Sequence, residues 1–257
     1  MGSTGNPETW AVGDRDTVIE ALERAVARHP DKILLDFSGK LYTYSQVDSL
    51  STKMANALTV LGVKAGETVL TMLDNNIDAV TTWLAINKLC AVSVPINTAL
   101  KGEFLRHQIA DTGTSVVICE AAYLARITPL AEQLHDVHHI LHRGTLDTPP
   151  DCRIRIAPLD EFRGHDATPL ATKPQPSDLA CLIYPSGTTG PSTGCMISYH
   201  FMCNLARLQL RAAPASAADR PITPLPLLPM TALCVSIIAS IPLAARPAIL
   251  PRSSFPN

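Results

Sequence analysis

The sequence predicts an α/β fold in which parallel strands form sheets flanked by helices. From Thr68 onward, short apolar segments alternate with stretches of helical periodicity, which is typical of a parallel sheet covered on both faces. The chain has 257 residues, of which 46% are hydrophobic, so it can bury the core of one large domain or of two subdomains. The carboxyl ends of the strands form the ligand crevices in such folds, and we expect function there.

The first part of the chain predicts two helices with a strand between them. Apolar side chains recur at helical spacing over residues 17–28, and the strand-like sequence ILLDF follows at residues 33–37. Thr43 and Gln46 form a capping-box pattern that predicts the start of the second helix. Gly62 marks the predicted end of that helix.

Strand and helix then alternate as far as residue 134. The predicted strands are VLTML, AVSVP and SVVIC, at residues 69–73, 91–95 and 115–119. The predicted helices cover residues 79–88, 104–110 and 122–134.

A connection follows this alternating region. Residues 163–177, RGHDATPLATKPQPS, are rich in proline and polar residues and have no periodicity. We interpret them as a linker between a first α/β subdomain at residues 1–162 and the start of a second, incomplete subdomain at residues 178–257.

The second subdomain is predicted to begin with a strand at LACLIY, residues 179–184. A short strand at CMIS, residues 195–198, and a helix at residues 200–211 follow. We expect the inward face of this helix to carry Phe201, Leu205 and Leu208, extending to Ala212.

Charge and cysteine content narrow the class of protein. The net charge is −2 and no long charged run is present, which argues against binding to nucleic acid or to an anionic membrane. Seven cysteines are widely spread without a CxxC pair, which predicts reduced thiols rather than a disulfide framework or a thiolate zinc site. The first 16 residues contain no apolar signal-peptide core, and we expect a cytoplasmic protein that binds small molecules.

Residues 225–245 are uncharged for 21 residues, which is long enough to span a membrane. Pro226, Pro229 and Pro242 interrupt the segment and leave a continuous helical stretch only at residues 230–241, the length of a buried core helix. We therefore predict no membrane span, with membrane association as the alternative.

Four histidines, His135, His138, His139 and His142, lie three to four residues apart. On a helix they could converge on a zinc ion. The surrounding sequence VHHIL favours a strand, however, and neighbouring side chains of a strand point to opposite faces. A solvated strand end is the favoured interpretation, and a zinc site is the alternative.

The stretch YPSGTTGPSTGC, residues 184–195, directly follows the predicted strand. Its glycines allow backbone N–H groups to approach an anion, and its hydroxyls add donors suited to phosphate oxygens. It matches neither the Walker pattern nor the GxGxxG dinucleotide fingerprint. The alternatives are a hydrophilic turn without function and a serine nucleophile at Ser186, although the GxSxG elbow is absent.

The order of residues in this stretch resembles the phosphate-binding signature YTSGTTGxPKG of the adenylate-forming superfamily of acyl-CoA synthetases, peptide-synthetase adenylation domains and luciferases. The likeness extends in family order through LYTYSQVDSLSTKMANAL, GVKAGETVLTMLDNN, WLAINKLCAVSVPINTALKGEFLRHQIADT and SVVICE. Within the superfamily, VSVPINTALKGEFLRHQ and GCMIS look most like ligases of the crotonobetaine/carnitine-CoA type. The resemblance implies the N-terminal part of the adenylate-forming enzyme fold, truncated at residue 257.

The resemblance also implies a two-step activity. ATP and a small carboxylic acid give an acyl-adenylate and pyrophosphate, and coenzyme A then displaces AMP to form a thioester. Mg²⁺ would neutralise the phosphates. The positions that match the signature, and so imply phosphate contact, are Ser186, Gly187, Thr188, Thr189, Gly190 and Gly194.

Several positions depart from the family pattern. Thr193 stands where the signature has lysine, and the loss of that charged donor could cost about 1.5 to 3 kcal/mol, or roughly 10- to 100-fold in affinity. Ser192 replaces the preceding proline, Pro229 replaces a histidine, and Cys90 stands where glycine is usual. Ala244 and the residue after it replace a glycine pair.

The family's ribose-binding aspartate, hinge and catalytic lysine would follow residue 257. We therefore expect an N-terminal portion of an AMP-forming acyl-CoA ligase that is inactive alone. The alternative is a catalytically silent truncated paralogue, or a binding or interaction module with a weakened phosphate loop. We also expect the apolar residues 225–250, which missing strands would cover, to be exposed and to promote self-association.

Overall fold

A computed structural model of the chain describes residues 17–148, 150–185, 192–213, 215–223, 225–227 and 232–250. Across these ranges strands alternate with helices, and most neighbouring strands run parallel. The predicted α/β class, with parallel sheets flanked by helices, is confirmed.

The strands of the described ranges are β1 (Ile33–Phe37), β2 (Lys40–Thr43), β3 (Thr68–Met72), β4 (Val92–Pro95), β5 (Val116–Glu120), β6 (His139–Arg143), β7 (Arg155–Pro158), β8 (Leu179–Ile183), β9 (Cys195–Ser198), β10 (Ile222–Thr223) and β11 (Ala248–Ile249). The α-helices are α1 (Val18–Arg28), α2 (Tyr44–Val60), α3 (Ile77–Lys88), α4 (Gly102–Asp111), α5 (Leu124–Ile127), α6 (Tyr199–Ala212) and α7 (Ser240–Leu243). Short 3₁₀ turns occupy Ala121–Tyr123, Thr128–Gln133 and Leu159–Gly164, and Ala232–Ile238 forms a π-helix.

Contacts along the chain define two compact units. The larger unit holds residues 49–174 and 178–198, and the smaller unit holds the rest of the described chain. The subdomain boundaries predicted from the sequence, at residues 162 and 178, divide the chain differently and remain a prediction. Strand β8, which we expected to open the second subdomain, hydrogen-bonds to β4 in the sheet of the larger unit.

The larger unit is built on a seven-stranded sheet with the order β7-β6-β5-β3-β4-β8-β9. Every neighbouring pair from β7 to β8 is parallel, and β9 returns antiparallel to β8. All five residues of β5 are buried, which is why residues 116–119 are continuously apolar rather than alternating, and the strand ends at the charged Glu120.

Side chains of the central strands divide between two apolar layers. Val69 and Ile118 lie in one layer with Leu58 of α2 and Ile86 of α3. Their chain neighbours Leu70 and Val117 lie in the other layer with Leu105 of α4 and Ile127 of α5. Because successive side chains of a strand point to opposite faces, each strand contributes to both layers and fixes the helices on either side.

The smaller unit contains a four-stranded sheet with the order β10-β11-β1-β2. Strand β1 pairs in parallel with β11 and antiparallel with β2. The buried carboxylate of Asp36 in β1 accepts hydrogen bonds from Arg220 and Arg246, each at 2.7 Å. The hydrogen bond from Arg246 is the largest cause that lowers the pKa of Asp36 below its usual value, and the backbone N–H of Gly39 and the positive charge of Arg220 lower it further.

The predicted capping box at the start of α2 is confirmed. The backbone N–H of Thr43 donates to Gln46 Oε1 at 2.9 Å, and the N–H of Gln46 donates to Thr43 Oγ1 at 3.1 Å. Gly62, with φ at +89°, ends the turn that follows this helix.

The inward face predicted for the helix at residues 200–211 is wrong. Phe201 is 51% exposed and Leu208 is 50% exposed, and Leu205 is half-buried. The buried residues of α6 are Tyr199, Met202, Cys203, Ala206 and Leu210. Both sets have helical spacing, so the periodicity predicted the helix and left its rotation undetermined.

The single helix predicted at residues 122–134 is also wrong. Two 3₁₀ turns flank the four-residue α5 there, and Pro129 lies in the first turn of the second 3₁₀ segment. Proline lacks an N–H group and clashes with the preceding turn, so a continuous α-helix cannot pass through this position.

The expectation that residues 225–250 expose apolar surface fails over most of their described part. Leu233, Ile237, Ile238 and Ile241 are at most 2% exposed. The segment around α7 contacts α1 and α6, which cover it within the smaller unit. Self-association through this segment remains a prediction, and Leu225, at 45% exposed, is an exception to the burial.

No helix in the described ranges is long and apolar enough to cross a membrane. The predicted core helix at residues 230–241 is replaced, over its described part, by the π-helix and the beginning of α7.

Candidate functional site

The glycine-rich stretch lies between the end of β8 and the start of β9, at the carboxyl end of the parallel strands. Ile183 and Cys195 are paired across these two strands, so the stretch forms the loop of a β-hairpin. Ser186, Gly187, Thr188, Thr189 and Gly190 lie outside the described residues, and their predicted phosphate contacts remain predictions. The described arms of the loop are residues 184–185 and 192–194.

The two arms of the loop contact each other at Tyr184 and Gly194. A Cβ atom added at Gly194 would lie 3.2 Å from Cζ and 3.3 Å from Oη of Tyr184. A side chain at this signature position would therefore crowd the tyrosine ring, which would have to shift by a few tenths of an ångström. The Tyr184 hydroxyl donates to Asp111 Oδ2 of α4 at 2.6 Å. Burial, followed by the neighbouring Asp111, raises the pKa of Tyr184.

Helix α4 also contacts the second arm of the loop, at Ser192. Gln108 Nε2 donates to Ser192 Oγ at 2.9 Å, and His107 Nε2 lies 3.1 Å from the Ser192 carbonyl oxygen. Sequence reasoning missed these contacts. The one signal was the change from proline to serine in the signature, which introduces the hydroxyl that Gln108 binds.

Thr193, at the position of the signature lysine, has an exposed side chain. Its hydroxyl and the neighbouring backbone N–H groups can donate hydrogen bonds to a phosphate oxygen, but they cannot neutralise its charge. An anion at the described part of the loop would thus meet neutral hydrogen-bond donors, and its binding would be weaker than in a loop that has lysine at this position.

A second polar group follows β5 and β6 on the same edge of the sheet. Arg143 Nε donates to Asp78 Oδ2 at 2.7 Å, and Arg143 Nη1 donates to Glu120 Oε2 at 3.2 Å. Arg163 Nη2 donates to the other oxygen of Asp78 at 2.9 Å. Arg163 also pairs with Asp160, so each carboxylate of the network contacts a guanidinium group, and we interpret the network as structural.

The four predicted histidines do not form a metal site in the described chain, where no group of three or more metal-ligating side chains is found. His139 and His142 lie in β6, and His142 Nδ1 is 3.1 Å from the Gly144 carbonyl oxygen. Burial is the largest cause that lowers the pKa of His139, followed by Arg155 and His138.

A parallel α/β sheet with a glycine-, serine- and threonine-rich loop after one of its inner strands is an architecture common among proteins that bind phosphorylated ligands. Residues 22–257 match the family described as AMP-binding enzyme, and the chain belongs to this family. The resemblance to the adenylate-forming superfamily is confirmed, and the narrower resemblance to crotonobetaine/carnitine-CoA ligases remains a prediction.

Curated relatives include CoA ligases. The chain is 30% identical over 208 residues to indoleacetate–CoA ligase of Aromatoleum aromaticum, covering 81% of this chain and 40% of that protein. It is 26% identical over 231 residues to long-chain-fatty-acid–CoA ligase FadD13 of Mycobacterium tuberculosis, covering 90% of this chain and 42% of that protein.

Solved structures share the fold. The anthranilate CoA ligase AuaEII, in complex with anthranoyl-AMP, superposes with a TM-score of 0.86 at 24% identity, covering 95% of this chain and 46% of that chain. The present chain thus spans less than half the length of each of these three relatives.

Proposed function

We propose that this chain is the N-terminal portion of an ATP-dependent, AMP-forming acyl- or aryl-CoA ligase, and that its glycine-rich loop holds the phosphates of ATP. The observation that carries the proposal is the family match over residues 22–257. The position of the loop after β8, at the carboxyl end of the parallel strands where ligands bind in such folds, supports it.

In this reaction a carboxylate attacks the α-phosphorus of ATP, and pyrophosphate leaves. Coenzyme A then attacks the acyl-adenylate, and AMP leaves with formation of the thioester. Loop N–H and hydroxyl groups would hold the departing phosphates. Mg²⁺ would supply charge neutralisation there, and because it keeps several waters and binds through phosphates it needs few protein ligands. We propose small carboxylic acids as substrates and the cytoplasm as the location.

The test is titration calorimetry of the 257-residue protein with MgATP, compared with Thr193→Lys. We expect weak binding by the natural sequence and about 10- to 100-fold tighter binding by the variant, because lysine restores a charged donor to the phosphates. Thr59→Lys is the matched control, since Thr59 is an exposed threonine near the end of α2. That helix precedes the amino end of β3, whereas the loop follows the carboxyl end of β8. Thr59→Lys should leave the affinity unchanged.

A catalytically silent module with a weakened loop is the second candidate, favoured by the uncharged side chain at position 193. It predicts no MgATP binding by the natural sequence and none by Thr193→Lys. That pair of results would overturn the proposed function.

A further inference from the structure

Helix α4 contacts both described arms of the glycine-rich loop. Asp111 accepts a hydrogen bond from the hydroxyl of Tyr184 on the first arm, and Gln108 donates to Ser192 on the second arm. His107 adds a contact to the Ser192 carbonyl. All of these residues belong to the larger unit, so the contacts lie within one compact body.

We propose that Gln108 is a positioning residue that holds Ser192, and through it the second arm of the phosphate loop, against α4. The inference rests on the proposed function for its link to nucleotide binding. Gln108 is not a catalytic residue, because its contact is with the loop rather than with a reacting group.

The burial and hydrogen bonding of the Gln108 side chain indicate that it positions the loop rather than simply filling the core. The residue is 6% exposed, and its Oε1 atom is buried without a hydrogen-bond partner in the described part of the chain. A buried unpaired acceptor destabilises a fold, so leucine, of similar size, would fill the site at least as well. Over the described residues, the side chain of Gln108 therefore stabilises the loop contact rather than the surrounding core, because its hydrogen bond there is to Ser192.

Serine at position 192 fits the same interpretation. The signature has proline there, and proline restricts the backbone without any partner. Serine leaves the backbone free to rotate but offers a hydroxyl, and the amide of Gln108 binds that hydroxyl at 2.9 Å. In this chain the hydrogen bond from Gln108 to Ser192 thus restrains the loop from outside, where proline in the signature would restrain its backbone directly.

Hydrogen exchange of the 257-residue protein without nucleotide tests the positioning role directly. We expect Gln108→Leu and Ser192→Ala each to speed exchange about 5-fold in a peptide containing residues 192–194, the factor expected for one ordinary hydrogen bond. The double variant should be no faster than either single variant, since both remove the same bond. Ser192→Thr keeps the hydroxyl and should stay close to the natural sequence.

Stability and nucleotide binding provide the remaining comparisons. Gln133→Leu, at an exposed glutamine of the same unit, is the control and should not change exchange at residues 192–194. The melting temperature of Gln108→Leu should equal or exceed that of the natural sequence.

Three results would each overturn the positioning role. The first is equal exchange in Gln108→Leu and Gln133→Leu, and the second is multiplicative effects in the double variant. The third is faster exchange across β5 together with a lower melting temperature in Gln108→Leu.

MgATP affinity should fall about 5-fold in Gln108→Leu, as expected for one lost hydrogen bond. Unchanged affinity alongside faster loop exchange would overturn the link to nucleotide binding. Absence of MgATP binding by the natural sequence would instead count against the proposed function, because the exchange measurement needs no nucleotide.

Discussion

At Gly194 the ring of Tyr184 leaves little space for a side chain. Tyr184 is held in place by its hydrogen bond to Asp111, so the ring cannot retreat without losing that bond. The resemblance to the family signature identified this glycine, but only the structure supplies the cause. The neighbouring Thr193 has no such constraint, since its side chain is exposed.

Gly194→Ala should destabilise the protein by about 1 kcal/mol, because the added methyl group crowds the tyrosine ring and pushes it from its position beside Asp111. Urea unfolding measures the effect. Gly164→Ala is the matched control, since a Cβ atom there meets nothing within 4 Å and its φ is not in the left-handed region. A loss of stability as large in Gly164→Ala as in Gly194→Ala would contradict the role assigned to Tyr184.

At the scale of elements, the periodicity of the sequence predicts most strands and helices correctly, but it does not predict which face of α6 is buried. Six strands of the seven-stranded sheet and the cap of α2 follow from local patterns, whereas β7 has no counterpart among the predicted strands. The buried face of α6 depends on which neighbours it meets, and Phe201 and Leu208 fit a helical stripe as well as Met202 and Ala206 do. No local signal separates the two stripes.

The end of α7 shows how a helix terminus constrains residue choice. Ala244, its C-cap, has φ at 50°, and its N–H donates to the Ile241 carbonyl. This left-handed conformation suits glycine and strains other residues. The resemblance places a glycine pair at Ala244 and Ala245, and the structure shows that only the first of these positions has the left-handed backbone. Cys90, at another position where the family has glycine, follows the end of α3 and also has a left-handed backbone, with φ at 56°.

Ala244→Gly should leave the protein at least about 1 kcal/mol more stable than Ala245→Gly. Both residues are buried, at 4% and 0% exposed, so both variants lose a buried methyl group and gain unfolded-state entropy. They differ in the backbone strain that glycine relieves only at position 244. Chemical denaturation of the two variants side by side is the measurement, and equal stabilities would show that no strain is stored at the end of α7.

At the scale of the whole molecule, the family could be predicted from the ordered motifs and the site only in part. The sequence motifs place the phosphate loop after β8, and the fold confirms that strand as part of a parallel sheet. The contacts of Gln108 and His107 with Ser192 could not be predicted, because they join residues that lie 84 and 85 positions apart. The acid substrate cannot be inferred from the described residues, since none of their contacts defines an acyl pocket.

These 257 residues alone should not form an acyl-CoA thioester, because they span only 40% of the indoleacetate ligase and 46% of the anthranilate ligase chain. A phosphate loop can hold ATP, but thioester formation also requires groups that bind the acid and coenzyme A and orient them for attack. The measurement is chromatography of AMP and CoA thioester after incubation with MgATP, coenzyme A and indoleacetate, anthranilate or a long-chain fatty acid. The indoleacetate ligase of Aromatoleum aromaticum serves as the positive control. Thioester that depends on ATP, coenzyme A and acid, made by the purified 257-residue protein, would show that the described fold already contains a complete catalytic site.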